Sequence, residues 1–295
     1  MEQQQPRPSL PPPPVTPLES IFSPQRQNER KVFIVTGSTQ GLGKDIALNL
    51  AKTGVASRGL VLCGRNKEKG EKAAQEIQRC VQDKAEQREE ERLRVVFVQA
   101  DLTKEEDCRK VVQTCDRLFG TLHGLVNSAG LSTRGTLEET DCKLWDTLFA
   151  LNVRAPFILC QEAARIMKRE HVGGAIVNIS SINAKGGQIG MAAYAPTKGA
   201  LDTFTRNIAQ ELQPFRIRAN AIQVGWLLTE NEDKLQRELT GDEKWLEKAE
   251  KEHPMGRLLR PQDISNLACF LLSDAANMLT GSVIPFHPDQ VQCSL

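Results

Sequence analysis

The chain is nearly devoid of tyrosine. Position 194 holds the only tyrosine among 295 residues, although phenylalanine occurs ten times. Aromatic rings are therefore available to this sequence, and what a phenyl ring lacks is the phenolic hydroxyl. We interpret the single tyrosine as a position that needs this hydroxyl, whose proton can be donated or accepted.

An excess of charge of either sign is also missing. Lysine and arginine together number 38, aspartate and glutamate 37, and the formal net charge is +1. Binding to a phosphate backbone requires a basic face, and no segment of this sequence supplies one. A nucleic-acid partner is therefore not expected.

Long apolar runs and clustered metal ligands are absent as well. No run approaches the roughly 20 residues that span a bilayer, and the first residues lack the pattern of a secretory signal. The eight cysteines form no C-x-x-C pair and do not cluster with the histidines, so no metal site is expected. We expect most cysteines to be small core residues of a cytoplasmic protein in a reducing compartment.

The first 30 residues differ in composition from the rest. They are rich in proline and glutamine and contain almost nothing to bury, so residues 1–30 are predicted to be a disordered tail. The run PPPP at 11–14 is typical of polyproline II and could bind an aromatic groove. A tail that recruits a partner to the enzyme is therefore one alternative to a plain linker.

Strand-like and helix-like segments alternate from residue 31 to about 290. Helical spacing is found at 43–54, 66–92, 104–119, 141–170, 192–213, 232–252 and 261–274. The apolar, strand-like runs between them are KVFIVT, GLVLCG, RVVFVQAD, LHGLVN, GAIVNIS, RIRANAI and SVIPF. This alternation predicts an α/β fold, one domain with a parallel sheet covered by helices on both faces. The charged segment 82–94 is interpreted as a solvated helix end or surface excursion.

A glycine-rich turn, TGSTQGLG, follows the first strand and opens the first helix. Gly37, Gly41 and Gly43 permit a tight turn and a close approach of a pyrophosphate to the helix N-terminus. A P-loop is excluded because no glycine lies five positions before Gly43 and because Asp45 stands where that motif needs Ser or Thr. The turn predicts a dinucleotide site rather than a site for ATP or GTP.

The second strand ends in LCGRN, which bears on the choice of dinucleotide. A carboxylate at this point selects NAD, whereas an arginine accommodates the 2′-phosphate of NADP. Here Gly64 is followed by Arg65, and the next acid is Glu68. We expect NADP(H) to be preferred, with NAD(H) as the alternative.

Lys198 lies four positions after Tyr194, so the two share one face if a helix begins near the tyrosine. An ammonium beside a phenol favours the phenolate, which predicts a lowered tyrosine pKa suited to acid–base chemistry. Ser181 comes thirteen residues earlier at the end of a strand, at the edge where parallel sheets bind ligands. Asn152 occurs within a predicted helix, where asparagine is a mediocre helix former.

These segments together resemble the short-chain dehydrogenase/reductase family. The resemblance runs from Lys31 to about Ser282 and rests on TGSTQGLG, ADLT, NSAG, LNV, VNISS, YAPTK and GWLLT, in the family's order and spacing. It implies a doubly wound, Rossmann-type sheet of about seven parallel strands. It also implies a homodimer or homotetramer built on the two long helices.

The resemblance assigns roles to the candidate residues. Tyr194 corresponds to the acid/base, and Lys198 to the residue that lowers its pKa and holds the nicotinamide ribose. Ser181 corresponds to the hydroxyl that orients the substrate carbonyl, and Asn152 to the residue that keeps a water in the proton relay. The implied cofactor-binding residues are Gly37, Ser38, Gly41, Leu42, Gly43, Arg65, Asp101, Leu102, Asn127, Ala129, Gly130, Tyr194, Lys198, Gly225 and Thr229.

Three departures from the family pattern qualify the resemblance. Ser128 replaces a second asparagine in NSAG, and Val224 replaces the proline that usually precedes Gly225. The ending has PDQ instead of Asp-Gly-Gly, which puts a family-style tetramer in doubt. All four catalytic positions are nevertheless present, which argues against the alternative of a cofactor-binding regulator or scaffold with weak or no turnover.

The predicted function is hydride transfer between NADP(H) and a carbonyl or secondary alcohol. The segment of about 226–257 corresponds to the family's substrate lid and is charged, with Trp226 and Trp245 as its only large aromatic residues. Together with Gln188, this composition favours a polar small molecule such as a sugar or polyol over a steroid. A 3-oxoacyl or xenobiotic carbonyl compound is the alternative substrate.

Overall fold

Seven parallel strands form the centre of the protein. The computed structural model describes residues 30–82 and 92–288, and the strand order in its sheet is β3-β2-β1-β4-β5-β6-β7. The strands are β1 (Val32–Thr36), β2 (Gly59–Gly64), β3 (Arg94–Gln99), β4 (Gly124–Asn127), β5 (Ala175–Ser181), β6 (Arg218–Val224) and β7 (Val283–Phe286). All six neighbouring pairs are parallel. The predicted α/β fold and its seven-stranded sheet are confirmed.

Helices connect the strands and cover both faces of the sheet. In the described ranges they are α1 (Gly41–Lys52), α2 (Lys67–Gln82), α3 (Glu105–Phe119), α4 (Cys142–Phe149), α5 (Ala155–Arg169), α6 (Tyr194–Leu212), α7 (Glu230–Thr240), α8 (Trp245–Glu252) and α9 (Pro261–Leu272). Alternate residues of a strand point to opposite faces. Accordingly Val32 and Ile34 pack with apolar residues of α3, α5 and α6, and Phe33 and Val35 with those of α1, α2 and α9.

Two predicted helices are interrupted in the structure. The segment 141–170 consists of α4 and α5 joined by a π-helical turn at Ala150–Arg154. In the segment 232–252, α7 ends at Gly241, whose φ of +64° lies in the left-handed region that stops a helix. Periodicity alone detects neither break, because both halves keep helical spacing. Strand β5 also continues one residue beyond the predicted GAIVNIS, to Ser181.

Several predictions fall wholly or partly outside the described residues. These are the disordered tail at 1–30 apart from Arg30, most of the charged segment 82–94, the end of the predicted helix 66–92, and the PDQ ending beyond Pro288. They stay predictions. Among the seven described cysteines, five are buried and two are exposed, which confirms the expectation that most are core residues.

The reversal of strand order between β1 and β4 determines where a ligand can enter. Strands β2 and β3 extend the sheet to one side of β1, whereas β5, β6 and β7 extend it beyond β4. The connections after β1 and β4 therefore diverge to opposite faces and leave a crevice at the carboxyl ends of the strands. The candidate site residues follow β1, β4, β5 and β6 at this edge.

At the opposite edge, His123 joins the amino ends of three strands. Its ring Nδ1 accepts a hydrogen bond from Val32 N at 3.1 Å, its backbone N–H donates to Val32 O, and its carbonyl accepts from Ala175 N. Burial lowers the pKa of His123 to about 4, and the positive charges of Lys31 and Arg58 act in the same direction. The folded protein thus holds this imidazole in its neutral form.

We predict that His123 makes the protein less stable in acid. The folded pKa lies below the unfolded value of about 6.5, so the unfolded chain binds more protons between these two values. Stability contributed by neutral His123 is present above about pH 6.5 and is lost as the pH falls towards 4. Urea unfolding of His123→Asn, which retains an acceptor for Val32 N–H, should show a smaller loss over this window. Equal losses in both proteins would contradict the assignment.

Candidate active site

The glycine-rich turn after β1 is packed too closely to admit side chains. Gly37 and Gly41 have φ of +63° and +55°. A Cβ atom on Gly37 would lie 2.8 Å from Ala129 Cα, and one on Gly43 would lie 2.5 Å from the carbonyl oxygen of Gly37. The chain therefore folds back tightly and begins α1 directly after the turn. This leaves the helix N-terminus facing the crevice, as an anionic pyrophosphate requires.

Two hydroxyl groups hold the turn in place. One belongs to a predicted site residue, and the other to a residue that the sequence analysis missed. Ser38 is fully buried; its Oγ donates to Val35 O at 2.7 Å and accepts from Cys63 N at 3.1 Å. Its side chain is therefore committed to the turn, and only its backbone stays a predicted ligand contact. Sequence reasoning missed Thr36, whose Oγ1 accepts from Ser128 N and Ala129 N, both at 3.0 Å. Its position as the last residue of β1 was the available signal.

The predicted floor of the nucleotide pocket divides into two parts. Asn127 is buried and its amide donates to Asn178 Oδ1 at 2.8 Å, while Asn178 donates in turn to Thr205 Oγ1 at 2.8 Å. Sequence reasoning missed Asn178, which continues this buried polar chain. Gly130 instead lies against two of the predicted catalytic residues, because a Cβ there would be 3.4 Å from Asn152 Oδ1 and 3.6 Å from Lys198 Nζ. Asn127 thus supports the floor from below, and Gly130 forms its surface.

The residues predicted for the adenosine end lie after β2 and β3. Arg65 is exposed, and its carbonyl oxygen accepts from Gln99 Nε2 at 3.0 Å. Burial opposes ionisation of Asp101, but hydrogen bonds from Thr103 and the charge of Arg65 hold its pKa below the usual value. The Leu102 side chain belongs to the apolar core. The structure thus brings Arg65 and Asp101 near one another.

Tyr194, Lys198 and Ser181 come together where α6 begins beside the end of β5. Lys198 is buried, and its Nζ donates to Ile179 O at 2.9 Å and lies 5.7 Å from the Tyr194 ring centroid. Ser181 accepts from Asn183 N and also hydrogen-bonds with the tyrosine side chain. The helix and the strand edge thus supply the three groups from two elements.

The electrostatics of these groups differ from the prediction. Burial raises the pKa of Tyr194, and hydrogen bonding by Ser181 opposes that rise only in part. The predicted lowering of the tyrosine pKa is therefore wrong for the protein on its own. Burial also lowers the pKa of Lys198 to about 8, against the opposing charge of Asp202. Desolvation outweighs the attraction between neighbours because both groups lie below the surface.

Asn152 lies in the π-helical turn between α4 and α5. It is buried, its Oδ1 accepts from Leu131 N at 3.0 Å, and its amide donates to Leu131 O at 2.9 Å and to Thr197 Oγ1 at 3.1 Å. These contacts join the loop after β4 to the first turn of α6. The asparagine that seemed out of place in a helix is thus fully hydrogen-bonded.

These groups open into a cleft of about 590 Å³. Seven predicted site residues line it: Leu42, Gly130, Ser181, Tyr194, Lys198, Gly225 and Thr229. Thr229 caps α7 by accepting from Glu232 N at 3.2 Å, and its methyl group approaches the Cβ position of Gly41 at 3.9 Å. The lid helix therefore begins directly above the glycine-rich turn.

The predicted lid contains a fixed pair of tryptophans. Trp226 Nε1 donates to Glu232 Oε1 at 2.8 Å, and Trp245 Nε1 donates to Asp233 Oδ1 at 2.9 Å. The same Glu232 oxygen accepts from Gln236 Nε2 at 2.8 Å. The two indole rings lie 6.0 Å apart. Trp226, Glu232 and Gln236 line the cleft, so its outer wall is aromatic and polar.

Residues 30–82 and 92–288 contain neither a membrane-spanning helix nor a cluster of metal ligands. No helix there has the length and hydropathy needed to cross a membrane. No group of three or more histidine, cysteine, aspartate or glutamate side chains in the same ranges is placed to hold a metal ion.

Comparison with known proteins places this site among oxidoreductases. Residues 37–287 match a family model described as enoyl-(acyl carrier protein) reductase. The chain is 30% identical to a 3-oxoacyl-(acyl-carrier-protein) reductase of Aquifex aeolicus, covering 86% of the chain and 94% of the relative. It is also 30% identical to an NADP-dependent (R)-specific alcohol dehydrogenase of Lentilactobacillus kefiri, covering 85% and 93%.

A solved structure is similar over the same range. The L-sorbose reductase of Gluconobacter frateurii, complexed with NADPH and L-sorbose, superposes with a TM-score of 0.80 at 30% identity. The match covers 89% of this chain and 97% of the reductase.

We predict that Gly43→Ala weakens dinucleotide binding. The new methyl group would lie 2.5 Å from a backbone oxygen of the turn, so the turn must widen at the pyrophosphate position. Overpacking of this kind costs about 1–3 kcal/mol. Because a cost of this size in the binding-competent conformation corresponds to about a tenfold or larger change in the dissociation constant, we expect NADPH affinity to fall about tenfold or more. Fluorescence titration measures the affinity. Lys52→Ala, in the last turn of the same helix, should bind NADPH as the wild type does, and unimpaired binding by Gly43→Ala would refute the close-packed cradle.

Proposed function

The chain belongs to the short-chain dehydrogenase/reductase family, and we propose that it transfers hydride between NADP(H) and a polar carbonyl or secondary alcohol, with Tyr194 as acid/base. The family and the alcohol or carbonyl chemistry follow from relatives that span nearly the whole chain. The observation that carries the finer proposal is the meeting of Tyr194, Ser181 and Lys198 in one cleft beside the glycine-rich turn.

The residues present fit a nicotinamide dinucleotide. The turn at Gly37–Gly43 folds back tightly at the start of α1 only because Gly37 and Gly43 carry no Cβ atom, Arg65 stands exposed after β2, and Gly130 and Lys198 adjoin at the inner end. When bound, the nicotinamide supplies or accepts the hydride. The protein's own residues bind and orient the two reactants and move the proton.

Tyr194 is suited to give its proton to the substrate oxygen. Because its pKa is raised by burial, the hydroxyl stays protonated at neutral pH and can act as a general acid in the reductive direction. Ser181, which hydrogen-bonds with the tyrosine side chain, would share the carbonyl oxygen as its negative charge develops. The ammonium of Lys198 stabilises the phenolate left after transfer.

The Asn152 side chain is committed to Leu131 and Thr197. The amide therefore fixes the π-helical turn to its neighbours rather than holding a water of a proton relay itself. This assigns Asn152 a positioning role close to Lys198.

A sugar or polyol fits the cleft better than an apolar substrate. Its wall carries Arg134, Gln188, Glu232 and Gln236 beside the face of Trp226. Hydrogen-bonding side chains around a fixed aromatic ring suit a polyhydroxylated molecule, and the similar L-sorbose reductase takes such a substrate. A 3-oxoacyl compound is the second candidate, because the names of the family model and of the Aquifex aeolicus relative both refer to acyl-carrier substrates.

A homodimer built on α4 and α5 is part of the proposal. Trp145 and Phe157 on these helices are 41% and 47% exposed, and Trp145 stacks on Phe149 at 4.8 Å. Exposed aromatic side chains of this kind are typical of protein interfaces. We also retain the cytoplasmic location as a proposal, supported by seven described cysteines that are all free thiols.

We predict that Tyr194→Phe abolishes turnover without abolishing cofactor binding. Loss of a positioned acid costs about 10²–10⁴-fold in rate, whereas the phenyl ring preserves the packing of α6. The measurements are NADPH oxidation with a panel of ketoses and 3-oxoacyl esters, and NADPH binding by fluorescence. Turnover near that of the wild type would remove Tyr194 from the mechanism. A wild type that binds NADPH but turns over no carbonyl would support the regulator alternative.

We predict that Arg65→Asp reverses the cofactor preference. A charge-assisted hydrogen bond contributes about 1.5–3 kcal/mol, so its loss and the added repulsion should weaken NADPH binding by about tenfold or more and spare NADH. Separate titrations with the two nucleotides test this. Arg117→Asp makes the same charge reversal at the distant end of α3 and should change neither affinity. Unaltered selectivity in Arg65→Asp would overturn the NADP(H) assignment.

A further inference from the structure

The Lys198 ammonium is buried with little to compensate its charge. The side chain is 5% exposed, and among the described residues its single hydrogen-bond acceptor is the neutral Ile179 carbonyl at 2.9 Å. Burial of an ammonium favours its neutral form, and here it lowers the pKa of Lys198 to about 8. The lysine is thus close to losing its charge at ordinary working pH.

A second buried charge lies one helical turn further along α6. Asp202 is 5% exposed, and positions four apart share one face of a helix, with Cβ atoms about 5–6 Å apart. Its Oδ2 accepts from Gln223 Nε2 on β6 at 2.6 Å. A buried carboxylate is costly unless it is compensated, so its presence in this position calls for a role.

We propose that Asp202 is a positioning residue for catalysis: its buried carboxylate, one turn beyond Lys198 and fixed by Gln223, keeps the Lys198 ammonium charged. The proposal rests on the proposed function only in that it makes Lys198 part of the catalytic machinery. It extends the site from the four predicted catalytic positions to a carboxylate behind them and to the glutamine that holds it.

The surrounding charges leave this role to Asp202. Burial raises the pKa of Asp202, and on α6 itself Arg206 and Lys198 are the cations that oppose this rise and favour the ionised form. The facing strands contribute uncharged Ser180 from β5 and Gln223 from β6. Tyr194 lies on the other side of the lysine, and His287 follows β7 as the remaining buried titratable side chain at this edge. Among the described residues, Asp202 is the carboxylate that acts on Lys198.

Action from a distance suits the lysine's task. Lys198 and Asp202 make no direct ion pair, since the Asp202 carboxylate is hydrogen-bonded to Gln223 on β6. The ammonium therefore keeps its remaining N–H groups for a ligand in the cleft while still receiving the carboxylate's field. Ser180 lies close to Asp202, yet neither its hydroxyl nor Asp202 Oδ1 has a hydrogen-bond partner among the described residues.

The proposal differs in its consequences from a purely structural role. A structural Asp202 would serve only to join α6 to β6 through Gln223. Asp202→Asn keeps an oxygen that accepts from Gln223 and removes only the charge, whereas Gln223→Leu removes the hydrogen bond and keeps the carboxylate. The two variants therefore separate the charge from the contact.

The first measurement is the titration of Lys198 itself in the full chain without substrate. The protein is labelled with ¹³C at lysine Cε, and the Lys198 signal is identified by its loss in Lys198→Arg. We expect its pKa in Asp202→Asn to fall by about one unit or more below that of the wild type, because a nearby opposite charge shifts a pKa by about that much. Asp202→Glu should restore most of the value, and Gln223→Leu should shift it less than Asp202→Asn does.

The second measurement is the pH profile of kcat/KM in the reductive direction. Protonated Lys198 is present below its pKa and is lost as the pH rises through it, so activity should decline on the alkaline side. In Asp202→Asn that decline should move to lower pH, by the same interval as the Lys198 titration, and Asp202→Glu should move it back. A profile that shifts while KM for NADPH rises would agree with a lysine that also holds the cofactor.

The outcomes distinguish this inference from the proposed function. An unchanged Lys198 pKa in folded Asp202→Asn overturns the inference even if the wild type reduces carbonyls. A lowered pKa upholds it even if no substrate is found, because the titration needs no turnover. Should Asp202→Asn not fold, Asp202→Ser provides a smaller neutral variant for the same titration, and a Lys198 pKa unchanged from that of the wild type in that variant counts against the inference.

Discussion

The close contact between the ends of β1 and β4 is the constraint on which the rest of the site depends. Thr36 accepts hydrogen bonds from Ser128 N and Ala129 N, and the Gly37 backbone touches Ala129 so closely that no Cβ fits between them. This contact closes the bottom of the crevice at the point where the strand order reverses. The glycine-rich turn on one side and Gly130 on the other are consequently fixed relative to Lys198 and Asn152.

Burial, rather than the attraction of neighbouring charges, sets the electrostatic state of the catalytic groups. It raises the pKa of Tyr194 and lowers that of Lys198, which moves the two values apart and puts the lysine below the tyrosine, the reverse of their order in free amino acids. A proton donor and a cation are thus kept in one apolar setting by the packing of α6 on the sheet. The oppositely charged Asp202 offsets part of this effect for the lysine only.

Sequence reasoning predicted the fold well because its signals are local. Apolar strands, glycine at turns and the order of elements all follow from short segments, and the seven-stranded parallel sheet agrees with them. The same reasoning brought Ser181, Tyr194 and Lys198 together correctly, since all three lie at the carboxyl edge of the sheet. Thr36, Asn178 and Asp202 escaped it because their importance comes from partners 27 to 93 residues away, or from burial that a sequence does not display. The direction of the tyrosine pKa was wrong for the same reason.

The solitary tyrosine has a practical consequence. Because residue 194 is the only phenol in the chain, any spectroscopic label introduced at tyrosine, such as fluorotyrosine, reports on the proposed acid/base position and on nothing else. A single fluorine resonance would then follow ionisation, ligand entry and lid movement at the reacting group without assignment. Labelling of tyrosine in this chain is therefore site-specific without any substitution.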